Sequence, residues 1–133
     1  MEKSSKDVLD DLFVSESEVV NNEALRDLLR DYAQMSTDGK IFPLPAFSKL
    51  DNEKKILVVL LAKKVLQIKL NMGEKTFPKE IQEISGLSKG SANPTLRVLN
   101  GKKRLINCEK GAYWIPNHAI HPIRDMFTRK KSD

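Results

Sequence analysis

The sequence predicts a mostly α protein with one small β-hairpin, in which a helical arm precedes a compact set of helices and the hairpin follows them. Three observations predict it. Apolar residues run from Ile56 to Leu70 densely enough to cover more than half of a helix circumference. On either side of Gly86, two shorter segments carry apolar residues at i, i+4 and i+7: Phe77, Ile81 and Ile84, then Ala92, Leu96 and Leu99. Two short runs, Leu105 to Cys108 and Ala112 to Ile115, flank the turn residues Glu109-Lys110-Gly111.

The arm, residues 1–36, reads as two helical segments. Val8, Leu9, Leu12 and Phe13 follow a helical spacing after the cap candidates Ser4 and Ser5. Ser15 and Glu18 make a capping box, and Asn22 is placed to cap a second stretch. In that stretch Leu25, Leu28, Leu29, Tyr32 and Met35 fall on one helical face, closed by Ser36-Thr37-Asp38-Gly39. Residues 37–50 form a connector, and Pro43 and Pro45 make Ile41 to Phe47 extended.

Residues 51–116 hold the main body. Asp51 is the expected N-cap of the long helix, with Glu53 in its first turn and Asn71-Met72-Gly73 as its stop. Pro78 opens the next helix, Gly86-Leu87-Ser88 breaks it, and Asn100-Gly101 ends the one after. Pro94 would cost roughly 3 kcal/mol inside a helix. A start near Ser91, which makes Pro94 a first-turn residue, avoids that cost. In the hairpin Cys108 reads as core, and of Tyr113 and Trp114 one should be buried and the other partly exposed. Residues 117–133 offer Ile120, Ile123, Met126 and Phe127 as a last helical face, followed by a basic tail.

Charge divides the chain. Residues 1–40 hold five basic and ten acidic residues, net −5, and the rest hold 18 basic and 8 acidic, net +10, within an overall +5 and a pI near 9.3. An acidic arm is thus joined to a basic body, which favours a polyanionic partner. The single cysteine excludes a disulfide scaffold and suits a reducing cytoplasm. No signal peptide is legible, and Lys63, Lys64 and Lys69 interrupt the apolar run, so no membrane span is expected.

Long helix, short helix, tight turn, helix and hairpin make a helix-turn-helix followed by a wing. The stretch Pro78-Lys79-Glu80-Ile81-Gln82-Glu83-Ile84-Ser85-Gly86-Leu87-Ser88, with Leu96, Leu99 and Leu105-Ile106, resembles winged helix-turn-helix transcription regulators over roughly residues 51–116. Gly111-Ala112-Tyr113-Trp114-Ile115-Pro116-Asn117 resembles the wings of small archaeal regulators, activators of motility operons among them.

The resemblance implies that the second short helix enters the major groove of double-stranded DNA. Gly90, Asn93, Pro94 and Arg97 would then face outward, with Arg97 suited to guanine and Asn93 to adenine. Ser88, Lys89, Ser91 and Thr95 would meet phosphates near the helix start, and Lys102, Lys103, Arg104 and Lys110 would hold the backbone beside the groove. Lys89, Asn93 and Arg97 also recur like the polar row of Z-form binders, but the tyrosine and wing prolines of those families are missing.

Other chemistry finds little support. His118, His121 and Cys108 fall short of a zinc set, and no nucleophile triad, P-loop, dinucleotide fingerprint or paired carboxylates occur, so neither an enzyme nor a cofactor is expected. The arm's apolar face must pack on its own domain, pair with a second copy, or dock on another protein. A homodimer or a transcription-machinery partner bound through these N-terminal helices is the expectation. The alternative for the whole chain is a winged-helix protein-interaction module in a larger assembly.

Overall fold

The computed structural model describes residues 16–128, which form a mostly helical fold with two small antiparallel strand pairs. The elements are α1 (Glu16–Leu29), β1 (Ala33–Met35), β2 (Ile41–Pro43), α2 (Asn52–Leu70), α3 (Pro78–Ser85), α4 (Lys89–Arg97), β3 (Asn107–Glu109), β4 (Ala112–Trp114) and α5 (Ile120–Thr128). Single 3-10 turns span Pro45–Lys49 and Asn117–Ala119, and a π-helical turn spans Val98–Lys102.

The long helix α2 is the centre. Asp51 caps it by accepting from the Lys54 N–H at 2.9 Å, and Asn71 ends it in the left-handed conformation at φ 58°. Seven consecutive residues, Ile56 to Ala62, are buried, which only a helix covered on all sides permits. It packs against α1, α3 and α4, and α1 packs against α5. Inside α2, Lys64 is 5% exposed, forms an ion pair with Glu74 at 2.9 Å and donates a hydrogen bond to Asn117 Oδ1 at 3.0 Å. That cluster ties the loop after α2 to the turn before α5.

The arm departs from expectation. Ser4, Ser5, Val8, Leu9, Leu12, Phe13 and Ser15 lie outside the described residues. Asn22 lies within the single helix α1 and starts nothing. Leu25, Leu28 and Leu29 are buried in the same core as α2 and α5, so this part of the face packs on the chain's own domain. Tyr32 and Met35 are not on the helix at all. The chain turns after Leu29, whose carbonyl accepts from the Tyr32 N–H at 2.9 Å, and Met35 pairs with Ile41 in the β1–β2 hairpin. Strand pairing satisfies the backbone that a longer helix would otherwise have to satisfy, and Gly39 at φ 92° supplies the turn. The expected extended connector is accordingly half strand, and Pro45 opens a 3-10 turn because first-turn proline forgoes no hydrogen bond.

Beyond α2, Pro78 opens α3 and Gly86 closes it at φ 80°, a backbone that costs a β-carbon-bearing residue about 1–2 kcal/mol. Phe77, expected in the core, is 57% exposed, because it precedes the helix and only Ile81 and Ile84 turn inward. The loop residue Thr76 exchanges both backbone hydrogen bonds with Tyr113, at 2.9 and 2.8 Å, and so joins that loop to β4.

The late helix start does not occur. Ser88 caps α4, its hydroxyl accepting from the Ser91 N–H at 3.2 Å, and Pro94 falls inside the helix. Nor do Asn100 and Gly101 end the helical run; the π-helical turn carries it to Lys102. In the hairpin a two-residue turn with positive φ at Lys110 (52°) and Gly111 (85°) matches the twist of paired strands. Cys108 is exposed, and Tyr113 and Trp114 are both half-buried, because this two-stranded pair has no sheet covering its outer side. Ile120 and Ile123 are buried, and Met126 and Phe127 complete the expected face of α5.

Candidate nucleic-acid interface

The site is built by α4, the π-helical turn and the β3–β4 hairpin. Burial of Ala92, Leu96 and Leu99 fixes the rotation of α4 and leaves Gly90, Pro94 and Arg97 exposed on its outer side. Apart from its chain neighbours and the backbone of its own helix, no atom lies within 4 Å of where a Gly90 side chain would begin, so the backbone there is open to close approach. Lys89 is exposed at the first position of the helix.

The geometry divides the remaining expected residues. Arg97 lies on the hairpin side, near the Tyr113 phenol. Burial, and next the Cys108 side chain against it, push that phenol above its ordinary pKa, while the Arg97 charge pulls it down. Lys110 sits exposed at the hairpin tip, and Lys102 and Arg104 are exposed at the end of the π-helical turn. No described carboxylate pairs with Lys89, Arg97, Lys102, Arg104 or Lys110.

Thr95 and Lys103 fall elsewhere. Thr95 lines an open hollow with Asp51, Asn52 and Glu53, and Lys103 bonds Glu53 at 2.7 Å. A phosphate there would meet the acidic start of α2, so the structure separates these two residues from the rest. The small polar residues are already engaged. Ser88 and Ser91 bond each other at 3.2 Å, and the Thr95 hydroxyl donates to the Ser91 carbonyl at 2.8 Å. Asn93, expected to face outward, is half-buried on the flank of α4, with its Oδ1 covered and without a hydrogen-bond partner.

Two neighbours of the site, Phe77 as an exposed residue and Lys75, escaped the sequence reading. Exposed Phe77 stands beside Gly111, about 3.9 Å from where a side chain would begin there. Lys75 bonds Glu109 and lies 4.8 Å over the Trp114 ring, joining the loop to the hairpin. The spacing of Phe77 with Ile81 and Ile84 suggested core packing, and nothing in that spacing marks Phe77 as exposed. Among the described residues no group of three or more metal-type ligands occurs, and no helix is long and apolar enough to cross a membrane. Comparison with family models, curated proteins and solved structures finds no match to this chain.

Proposed function

We propose that the chain is a sequence-specific, double-stranded DNA-binding transcription regulator of the winged helix-turn-helix type. In this reading α4 lies in the major groove and the β3–β4 hairpin is the wing along the backbone. One observation carries it. The outer face of α4, with Gly90, Pro94 and Arg97, lies open beside exposed Lys102, Arg104 and Lys110, none of which has a described acidic partner. Arg97 is the base reader, because its planar fork suits guanine O6 and N7. Lys89, Lys102, Arg104 and Lys110 hold phosphates, and Asn93 reads a base only if its buried amide turns out.

The test is binding to pooled genomic fragments at two salt concentrations, with the retained DNA sequenced. A discrete enriched motif supports the reading. Arg97→Ala should then lose about 1–3 kcal/mol on that motif and relax the base preference. Equal loss on motif and random DNA would remove the base-reading role.

A second reading has its own observation, the exposed Phe77 beside the hairpin turn, which suits an apolar protein surface. The chain would then be a winged-helix interaction module. Salt decides between them: about four phosphate contacts imply a log–log slope near −3.6 on duplex DNA. A protein-docking module has no such slope on DNA.

A further inference from the structure

The loop between α2 and α3 is fastened at the two residues that bracket Lys75. Glu74 pairs with the buried Lys64 of α2 at 2.9 Å. Thr76 is fully buried, and its hydroxyl donates to the Glu74 carbonyl at 2.9 Å. Its backbone exchanges two hydrogen bonds with Tyr113 of β4. Lys75 therefore leaves a backbone that is held on both sides and lies against the hairpin.

Its side chain meets one face of that hairpin. Partners across an antiparallel pair share a face, so the register of Asn107 with Trp114 and of Glu109 with Ala112 makes Glu109 and Trp114 diagonal neighbours on one side. The Lys75 ammonium bonds the Glu109 carboxylate and lies 4.8 Å over the Trp114 ring, and so spans the diagonal. Both side chains of the ion pair are half exposed, at 53% and 55%. Water and salt screen such a pair, so it adds little to stability.

Its effect on the local charge is larger. Asn107–Trp114 contains one acid, Glu109, and one base, Lys110, so the hairpin alone is neutral and has no net attraction for phosphate. Lys75, 34 residues before Glu109, makes it cationic. Without that ammonium, an uncompensated carboxylate would stand one residue from Lys110, the exposed cation of the tip.

We propose that Lys75 is a positioning residue of the wing: it engages and neutralises Glu109, and so leaves Lys110 to the phosphate backbone, without itself touching DNA. This inference rests on the DNA-binding reading and adds to it a residue outside both α4 and the hairpin.

The experiment is a double-mutant cycle of parent, Lys75→Met, Glu109→Gln and the two combined, titrated on one duplex across several salt concentrations. Methionine keeps an unbranched apolar stem beside Trp114, and circular dichroism checks that each variant folds. Lys75→Met should weaken binding about fivefold at low salt and flatten the log–log slope by about 0.9, because the Lys110 contact is lost. In the Glu109→Gln background the same substitution should leave the slope unchanged, since no carboxylate remains to be released. A slope that falls equally in both backgrounds makes Lys75 itself a phosphate contact and overturns the proposal. So does a slope that moves in neither. A parent that binds no duplex removes the DNA reading first, and the inference with it.

Discussion

Pro94→Ala should stabilise this protein, and Ser88→Ala should destabilise it. Pro94 is the sixth residue of α4, which Ser88 caps, so an N–H at position 94 would bond the Gly90 carbonyl. Proline supplies no donor and crowds that carbonyl, a difference from alanine of about 3 kcal/mol in a helix interior. Pro94 is exposed and nothing crowds Gly90, so alanine meets no steric obstacle. The greater freedom of the unfolded alanine chain takes back about 0.4–1 kcal/mol. The net expectation is about 2 kcal/mol of added stability, or roughly 6–10 °C in Tm for a chain of this size. Removing the Ser88 hydroxyl, which accepts from the Ser91 N–H, should cost about 1 kcal/mol. Urea unfolding followed by circular dichroism reads both, with the midpoint shifting at constant slope. If Pro94→Ala is neutral or destabilising and Ser88→Ala has no effect, the helix starts near Ser91 instead, and the cap argument fails.

Two further outcomes follow from the ion pairs. Lys64→Ala should cost about 3–5 kcal/mol, because it leaves the half-buried Glu74 unpaired, while Lys64→Met should cost less by filling the space; chemical denaturation compares them. The Lys75 side chain, first by its hydrogen bond and then by its charge, holds the Glu109 carboxyl below the usual glutamate range. A depressed carboxyl contributes stability above its unfolded pKa and loses it as pH falls through the lowered value, so this contribution disappears only in acid. Lys75→Met should return Glu109 to ordinary titration, read by side-chain carboxyl NMR; an unchanged midpoint would show that the pair does not form.

How much was legible depended on whether local spacing or distant pairing decided the outcome. The α2 cap at Asp51, the stop at Asn71, the turn at Gly86 and the inward triad of α4 are local, and each was readable from residue types. Tyr32 and Met35 show where this ends. Their spacing continued the helical face of Leu25 and Leu29, yet the strand pairing of Met35 with Ile41 won, and only the partner sequence could reveal it. Pro94 failed in the other direction: its own cost argued for a late start, and the Ser88 cap outweighed it. In the candidate site, Arg97 emerged on the expected face, but the separation of Lys103 from its neighbours depends on Glu53, fifty residues earlier in the chain.

That separation makes the +10 of the body a poor guide to its contact with a polyanion. Lys63 pairs with Glu80, Lys64 with Glu74, Lys75 with Glu109 and Lys103 with Glu53, so each of these cations already has an internal partner. What a phosphate backbone can recruit without breaking a bond is the smaller set around α4 and the hairpin. Glu53→Gln tests whether that distinction has consequences. It frees Lys103, whose side chain is 42% exposed beside Lys102 and Arg104, without moving the backbone of α2. If the freed ammonium reaches the duplex, the log–log salt slope should steepen by about 0.9, the value of one added phosphate contact. Titrations of parent and variant on one duplex across several salt concentrations would read it. An unchanged slope with tighter binding at every salt would mean that Glu53 acted through long-range repulsion alone. An unchanged slope with unchanged affinity would place the π-helical turn off the DNA and confine the interface to α4 and the hairpin tip.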